Sequence, residues 1–285
     1  MKFSLKWTFF STLLTTTIFI LVDALIFEKN FFQIKRFKIG NPDSEGTPIR
    51  LLQLSDLHLK GRLTAKHRRL AAAVRKLQPD LILITGDALD KHGHPEVLAD
   101  LLALVAPDIP KVAILGNHEY KSGIAREVFC ELYKKYKGDL LINDSECYVI
   151  RGHRMCITGL DDLIHGQDDL EKAFQKVENE SNHLVLLHSP LHQDSFLQKF
   201  EALKKEGQLD ALAKIRYMFA GHNHGGQVTL FGLYAPYLPR KSGNYLKGWY
   251  NQKEPYLYVS KGFGTSTIPV RFWARAEITL FLYYP

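Results

Sequence analysis

Short apolar runs separated by segments of helical spacing make up the first half of this 285-residue chain. Three runs predict buried strands: 48–54, 81–85 and 111–115. Two segments between them predict helices: 64–77 and 95–105. Asp56 lies 31 residues before Asp87, and Asp87 lies 30 residues before Asn117, which is the length of one βαβ unit. Because such crossovers are right-handed, the strands should run parallel, with their carboxyl ends at one edge.

The second half of the chain is richer in strand patterns. Its candidate strands are 146–150, 154–158, 183–187, 217–220, 227–230, 256–260 and 277–282. Its candidate helices are 169–178 and 194–206. This many strands predicts an α/β fold in which two sheets pack face to face, with helices outside.

The first 30 residues carry the longest apolar run. No charged residue occurs from Trp7 to Val22, and apolar residues resume after Asp23 and continue to Phe27. About 20 residues are needed to cross the hydrocarbon core of a membrane. We therefore predict an N-terminal membrane anchor in residues 1–30 and one folded domain in residues 31–285. A cleaved signal peptide and a helix lying on the membrane stay open as alternatives.

Basic residues flank the predicted anchor unequally. Lys2 and Lys6 precede it, and four basic residues follow: Lys29, Lys35, Arg36 and Lys38. The positive-inside rule then predicts that the folded domain lies on the cytoplasmic face of the inner membrane. The segment from Phe31 to Lys38 mixes aromatic and basic residues. It fits a membrane-interface segment and an edge strand equally well.

Charge and cysteine content add two expectations. The formal net charge of +7 favours an anionic partner, which could be a membrane surface, nucleic acid or a phosphorylated substrate. Cys130, Cys147 and Cys156 show no metal-type spacing and are odd in number, which argues against a disulfide framework or a zinc knuckle. We expect buried thiols in a reducing compartment.

Five clusters of Asp, His and Asn come at or just after the ends of apolar runs. They are Asp56-Leu-His58, Gly86-Asp87-Ala-Leu-Asp90, Gly116-Asn117-His118-Glu119, His188 in Leu-Leu-His-Ser-Pro, and Gly221-His222-Asn223-His224. Seven of their side chains are candidate metal ligands: Asp56, His58, Asp87, Asn117, His188, His222 and His224. These are too many for one catalytic ion that keeps an open position, and enough for two. The pattern predicts a two-metal hydrolase of phosphate esters or anhydrides.

Spacing within the clusters supports this chemistry. Asp56 and His58 are two residues apart, so both side chains point to one side of an extended chain and can hold one ion. His222 and His224 repeat that spacing. Taken alone, each cluster is an ordinary turn, and the prediction depends on all five occurring in order at strand ends.

Four neighbouring residues fit supporting roles. Gly86 and Gly116 directly precede candidate ligands and suit turns that need positive φ or a close backbone approach. Asp90 and Glu119 fit a supporting or capping role as well as a catalytic one.

The ordered set of clusters resembles the calcineurin-like metallophosphoesterase superfamily over about residues 48–285. The resemblance implies a four-layer α/β/β/α sandwich of two mixed sheets. It implies that one metal is held by Asp56, His58, Asp87 and His224. A second metal would be held by Asp87, Asn117, His188 and His222, so that Asp87 bridges the pair. The expected ions are two Mn²⁺, with Fe or Zn²⁺ as alternatives.

The same resemblance implies roles in catalysis. A metal-bridging hydroxide would attack phosphorus in line. His118 would contact the phosphate and protonate the leaving group, while Asn117 and the metals stabilise the developing charge.

Downstream motifs resemble the membrane-associated YkuE/YaeI-like branch and, within it, are similar to LpxG-type UDP-2,3-diacylglucosamine pyrophosphatases. They are Gly221–Gln227, Gly243-Asn-Tyr245, Leu257–Ser260, Gly262-Phe-Gly264 and Pro269–Phe272. Asn223 stands where the branch usually has Thr, and Ala274-Arg-Ala-Glu277 stands where a Pro-rich turn is common. The implied reaction, in lipid A biosynthesis, gives UMP and 2,3-diacylglucosamine 1-phosphate.

The segment from Tyr234 to Tyr250 mixes aromatic and basic residues, which suits a membrane interface or an acyl chain beside a phosphate. It could equally be an ordered loop over the core. Its candidate substrate contacts are Arg240, Lys241 and Tyr245. The expected partners are a membrane lipid or nucleotide–lipid substrate and the membrane surface, with no nucleic acid and no obligate protein partner.

Two other functions remain open. One is a phosphodiesterase of the same branch acting on another phosphoester or phospholipid. The other is a non-catalytic membrane tether or scaffold on the same fold.

Overall fold

The computed structural model describes residues 5–43, 46–178, 180–209 and 214–285. The first four residues of the predicted anchor lie outside this described part. The strands in chain order are β1 Gln33–Gly40, β2 Ile49–Leu54, β3 Leu81–Thr85, β4 Lys111–Ile114, β5 Gly138–Leu140, β6 Asp144–Ile150, β7 His153–Gly159, β8 His183–Leu186, β9 Tyr217–Ala220, β10 Gly248–Tyr250, β11 Tyr256–Val259 and β12 Glu277–Tyr284. The α-helices are α1 Leu5–Val22, α2 Glu28–Asn30, α3 Ala65–Leu77, α4 Pro95–Val105, α5 Asn117–Ser122, α6 Arg126–Lys135, α7 Leu170–Phe174 and α8 His192–Lys205.

The strands form two mixed six-stranded sheets. The first has the order β1-β12-β2-β3-β4-β5, and the second has the order β10-β11-β9-β8-β7-β6. β2, β3 and β4 run parallel, as do β7, β8 and β9. The carboxyl ends of the central parallel strands therefore share one edge within each sheet.

Side-chain alternation along the strands builds the layers. In β2, Ile49 and Leu51 face the core between the two sheets, while Leu52 and Leu54 pack with the helices α3, α4 and α6. The second sheet packs its outer face on α7 and α8 through residues such as Phe196. Both faces of each sheet are covered, which explains the continuous apolar runs. The four-layer α/β/β/α prediction is confirmed.

Most predicted elements are present, and the differences have physical causes. The candidate strand 227–230 is wrong, because Val228 and Leu230 make only isolated bridges, to Phe272 and Tyr234. The predicted helix 169–178 is shorter, at Leu170–Phe174. Of the two alternatives for Phe31 to Lys38, the edge strand is present as β1, which pairs in parallel with β12. The sequence patterns did not predict β5, β10, α5 or α6.

The expectation that the three cysteines are buried free thiols is wrong. Cys147 on β6 and Cys156 on β7 are direct partners in the antiparallel register and form a disulfide, with Cα atoms 4.1 Å apart. Cys130 is exposed. Sequence spacing alone could not reveal the hairpin register that brings Cys147 and Cys156 together.

The N-terminal helix carries apolar side chains on all sides and leaves them exposed. The helical segment from Trp7 to Asn30 has 24 residues, and its most apolar 18-residue stretch has a mean hydropathy of 2.0, which suffices by length and composition to cross a membrane. The hydroxyls of Thr12 and Thr17 bond to backbone carbonyls four residues earlier, at 2.9 Å. These polar groups are therefore satisfied within the helix, as a lipid environment requires.

The foot of this helical segment is attached to the folded domain. The backbone N–H of Arg271 donates to the Ala24 carbonyl at 3.2 Å, and that of Ala276 donates to the Glu28 carbonyl at 3.0 Å. The Glu28 carboxylate accepts the backbone N–H of Ala274 at 2.9 Å. The division of the chain at residue 30 stays a prediction, although helix α2 ends at Asn30 and β1 begins at Gln33.

Candidate metal centre

The seven predicted ligands follow five parallel strands and converge between the two sheets at their carboxyl ends. Asp56 and His58 follow β2, Asp87 follows β3, Asn117 follows β4, His188 follows β8, and His222 and His224 follow β9. All seven are buried. The βαβ geometry therefore brings residues far apart in sequence into one cluster.

One half of the cluster is formed by Asp56, His58 and His224. Their ligand atoms lie within 4.8 Å of one another. His58 Nε2 is 2.9 Å from His224 Nε2, and His224 Nε2 is 3.6 Å from Asp56 Oδ1. His58 Nε2 is also 3.6 Å from Asp87 Oδ2. A mixed carboxylate and imidazole set of this kind suits a divalent ion.

The other half is built around His188. Its Nε2 lies 3.4 Å from Asp87 Oδ2, 3.2 Å from Asn117 Oδ1 and 3.3 Å from His222 Nδ1. The opposite ring nitrogens are held by backbone carbonyls: His188 Nδ1 lies 3.0 Å from the Thr85 oxygen, and His222 Nε2 lies 2.9 Å from the Arg240 oxygen. Such bonds orient an imidazole so that its other nitrogen faces inward. Asp87 contacts both halves and lies where a bridging ligand would.

Five of the seven candidate ligands have left-handed backbone, with positive φ. The angles are 50° at Asp56, 47° at His58, 50° at Asp87, 69° at His222 and 51° at His224. Non-glycine residues rarely adopt this conformation, and such strain concentrates at functional sites. The fold therefore holds these side chains in place at a conformational cost.

Two glycines allow the loops to approach. Gly86 has a φ of 85°. A Cβ at Gly116 would lie 2.6 Å from Asp87 N and 2.7 Å from His188 Cε1, and it would also collide with Asp87 Oδ1. Gly86 thus has the positive φ, and Gly116 the close approach, that the sequence predicted for these glycines.

Electrostatics favour a cation in the cluster. Burial alone would raise the pKa of Asp87, but His188 holds that pKa well below its usual value. In return, Asp87 keeps the pKa of His188 well above normal despite burial. Burial lowers the pKa of His222 to about 3 and that of His224 well below normal, so both are neutral and can offer lone pairs. The buried carboxylates require a positive charge, and the donor set fits divalent metals.

Residues beside the predicted ligands support them. Glu119 accepts the backbone N–H groups of Asp87, Leu89 and Gly116 at 2.8 to 3.0 Å, so it holds the loop that carries Asp87. Asp90 Oδ2 lies 3.6 Å from His58 Nδ1 and 3.5 Å from His118 Nδ1. Glu119 therefore has a capping role, and Asp90 lies against the two histidines.

His118 lies at the rim of the cluster. Its side chain is 12% exposed, and its ring makes an edge contact with His58, with centroids 4.4 Å apart. Its backbone N–H donates to Asp87 Oδ1 at 2.8 Å. Burial lowers the pKa of His118 to about 4.

Sequence reasoning did not identify the supporting role of Arg271. This fully buried guanidinium donates to the backbone carbonyls of Gly264, Lys261 and Ala274, and its Nη2 lies 3.2 Å from His224 Nδ1. An arginine within the apolar stretch Pro269–Phe272 is the signal that could have revealed it.

The three candidate substrate residues differ in position. Arg240 and Lys241 are exposed, and their backbone carbonyls contact His222 and Ser189. Tyr245 is turned to helix α8, where its hydroxyl donates to Asp194 at 2.7 Å and accepts from Gln193 at 2.6 Å. The structure thus brings Arg240 and Lys241 to the rim of the cluster, while the hydroxyl of Tyr245 is already engaged.

Comparison with known proteins agrees with this arrangement. A family model described as calcineurin-like phosphoesterase matches residues 49–226. The uncharacterized metallophosphoesterase YkuE of Bacillus subtilis is 27% identical over 239 residues, covering 82% of this chain and 78% of that protein. A Danio rerio transmembrane protein with metallophosphoesterase domain is 28% identical over 246 residues, covering 81% of this chain and 52% of that protein.

A solved structure is also similar. The dimetal phosphatase from Danio rerio aligns with a TM-score of 0.48 at 12% identity, covering 83% of this chain and all of that one.

Proposed function

Since the chain belongs to the calcineurin-like phosphoesterase family, and is thus a metal-dependent phosphohydrolase, we propose that it cleaves a nucleotide–lipid anhydride at the membrane. The proposed reaction is hydrolysis of the pyrophosphate bond of UDP-2,3-diacylglucosamine to UMP and 2,3-diacylglucosamine 1-phosphate. One observation carries the proposal: the buried ligand cluster belongs to a domain attached directly to the foot of a long apolar helix.

Two divalent ions, proposed to be Mn²⁺, fit the donor set. Asp56, His58, Asp87 and His224 would hold one, and Asp87, Asn117, His188 and His222 would hold the other. When bound, the ions supply Lewis acidity to the phosphoryl oxygens and lower the pKa of a coordinated water. Asp90 Oδ2, 3.6 Å from His58 Nδ1, would orient this ring, because that nitrogen has no hydrogen-bond partner among the residues that the structure describes.

His118 is the proposed proton donor to the leaving oxygen. Its place at the rim, beside His58 and Asp90, lets it reach a phosphate bound over the cluster. A phosphate anion arriving there would raise the pKa of His118, because opposite charge favours the protonated ring. Asn117 would use its amide group to stabilise charge on the phosphoryl group.

Membrane attachment is the second part of the proposal. Above its attached foot the helix is exposed, and only 6% of its most apolar 18-residue stretch is buried, which suits a membrane anchor better than a core helix. Exposed apolar side chains continue beyond it on neighbouring segments: Leu230, Phe231, Leu233, Tyr234, Tyr237, Ile268 and Trp273. We propose that this surface faces lipid, with the folded domain on the cytoplasmic face of the inner membrane.

Release of UMP from UDP-2,3-diacylglucosamine by the full-length, detergent-solubilised protein tests the proposal. We expect release with Mn²⁺, none with EDTA, and a loss of at least about 10³-fold for Asp87→Ala, since a shared ligand of both ions is removed. Asp108→Ala is the matched control, because its carboxylate is 88% exposed and lies at the surface with Lys137.

The other outcomes separate the alternatives. Cleavage of bis(p-nitrophenyl) phosphate without UMP release would support phosphoesterase activity, but would reject UDP-2,3-diacylglucosamine as the substrate in favour of another phosphoester. Metal binding with neither activity would support a membrane tether.

A further inference from the structure

Resting on the function proposed above, we propose that a basic cleft between His58 and the foot of the N-terminal helix binds the phosphate-bearing head group of a membrane lipid. The cleft has a volume of about 300 Å³. Its lining includes His58 and Thr64 at one end and Lys29 and Asn30, on the last helical turn, at the other. It therefore joins the candidate metal centre to the point where the apolar helix ends.

The charge of the cleft suits a phosphate. Besides His58 of the candidate metal centre, five basic residues line it: Lys29, Lys60, Arg62, Lys66 and His67. No carboxylate is among its lining residues in the described part of the chain. Lys66 is already engaged, because its ammonium donates to the Phe263 carbonyl and lies 4.1 Å over the Phe263 ring. Burial lowers the pKa of His67 to about 4, so this ring is neutral. The cations that remain for a ligand are Lys29, Lys60 and Arg62.

Lys60 and Arg62 are the most accessible of these cations. The side chain of Lys60 is 59% exposed, and the carboxylate near its ammonium is Asp90, at 3.8 Å. Arg62 is exposed and makes no hydrogen bond or ion pair within the part of the chain that the structure describes. A phosphate between these side chains would receive charge-assisted hydrogen bonds.

Hydrogen bonds hold one wall of the cleft against the loop of the candidate metal centre and the other wall against the end of the helix. Phe263 N–H donates to the Ser55 carbonyl at 2.9 Å and Gly264 N–H donates to the Asp56 carbonyl at 2.6 Å, so this wall follows the loop that carries two candidate ligands. On the other side, Arg69 of α3 donates to the Asn30 carbonyl at 2.9 Å and stacks over Phe31. The cleft therefore keeps its position relative to both the cluster and the helix.

A second, larger cavity is less suited to this ligand. It has a volume of about 840 Å³, and four acidic residues line it: Asp161, Asp168, Asp169 and Glu171. Arg126, Lys172 and Lys199 also line it, so its charge is mixed. It lies beside Tyr120 and Ile142, which follow β4 and β5, whereas the basic cleft lies beyond β2. The basic cleft therefore suits a lipid phosphate better, and of these two cavities it is the one lined by residues of the N-terminal helical segment.

Binding of a lipid phosphate tests the inference without requiring catalysis. The probe is fluorescent phosphatidic acid in neutral detergent micelles, and the readout is its anisotropy with full-length protein. We expect wild-type protein to bind, and Lys60→Ala/Arg62→Ala to weaken the apparent affinity by about tenfold, since two charge-assisted contacts are lost. Arg62→Lys should retain most of the affinity.

Lys38→Ala is the matched control, because Lys38 is an exposed cation on β1 outside the cleft. A circular-dichroism melt shows whether each variant is folded. Inorganic phosphate is the competitor. If it displaces fluorescent phosphatidic acid when the two are at equal concentration, the site recognises free phosphate and the inference is overturned. Equal affinity of the double variant and wild type, or no binding by wild type, also overturns it.

The kinetic arm separates this inference from the proposed function. If UMP is released, the ratio of kcat/KM for the lipid-linked substrate to that for bis(p-nitrophenyl) phosphate should fall about tenfold in the double variant. If no UMP is released but phosphatidic acid binds through Lys60 and Arg62, the proposed substrate is rejected, while the inference that the cleft binds a lipid phosphate is supported.

Discussion

Substitution of Gly116 by alanine should damage the metal centre without altering any ligand. The backbone φ of Gly116 is −113°, which any residue adopts, so the effect of the added methyl group is purely steric. That Cβ would lie 2.6 Å from Asp87 N and 2.7 Å from His188 Cε1. Ordinary contacts to carbon need about 3.5 Å, so the loop or the two side chains must move by about 1 Å.

A movement of about 1 Å is large compared with a metal–ligand bond of about 2.0 to 2.2 Å. We therefore expect Gly116→Ala to lower the affinity for Mn²⁺ by about 10- to 100-fold, or about 1.4 to 2.7 kcal/mol. Overpacking should also lower the free energy of unfolding by about 1 to 3 kcal/mol.

Calorimetric titration with Mn²⁺ and urea unfolding measure the two effects. Gly46→Ala is the matched control, because a Cβ at Gly46 meets nothing within 4 Å. Unchanged Mn²⁺ affinity and stoichiometry in a folded Gly116→Ala variant would refute the assignment of Asp87 and His188 as ligands packed against this glycine.

Three further predictions concern stability and attachment. Burial lowers the pKa of His183 to about 4, so its neutral form contributes stability that is complete above about pH 6.5 and is lost as the pH falls toward 4. The loss should approach about 3 kcal/mol in urea unfolding at pH 4, and His183→Asn should remove that part of the pH dependence. Arg271→Met should lower the free energy of unfolding by about 3 to 5 kcal/mol, because buried carbonyls of Gly264 and Ala274 lose their hydrogen-bond donor. A decrease below about 1 kcal/mol in urea unfolding would contradict this. Leu14→Asp should shift the protein from the membrane fraction to the soluble fraction after carbonate extraction. A carboxylate at the middle of a membrane-spanning helix costs about 2.5 to 3.5 kcal/mol of insertion free energy. Retention equal to that of the wild type would count against a spanning anchor.

The parts of the fold that could be predicted are those buried on both faces. β2, β3 and β4 are predominantly apolar and almost fully buried, and the regular spacing between them is sufficient to predict their parallel order. β1 could not be assigned, because the exposed cations Lys35, Arg36 and Lys38 lie among its apolar residues and mimic a membrane-interface pattern. Helix α6 buries only Phe129 and Tyr133 among its ten residues, which is too weak a stripe to recognise.

The candidate site, like the fold, could be predicted only in part from the sequence. Convergence of Asp56, Asp87 and Asn117 follows from the βαβ spacing of their strands. That the histidines after the second-sheet strands join them was implied by the family resemblance and not by spacing. The left-handed backbone of Asp56 and His58 and the role of Arg271 depend on contacts between distant segments. Arg271 and His224 are 47 residues apart and meet only in the folded chain. An arginine in an apolar stretch can signal burial, but the local sequence does not show which distant residues it contacts.

The parallel pairing of β1 with β12 fixes how the enzyme would meet its substrate. Helix α2 ends at Asn30 and β1 begins at Gln33, so no flexible linker separates the helix from the sheet. In a bilayer, the metal centre would stay at one height and could not extend into the surrounding solution. Encounters with the proposed lipid-linked substrate would then occur by lateral diffusion in two dimensions, and the rate would follow the mole fraction of that substrate in the membrane. Dilution of the vesicles at constant lipid composition would leave turnover unchanged.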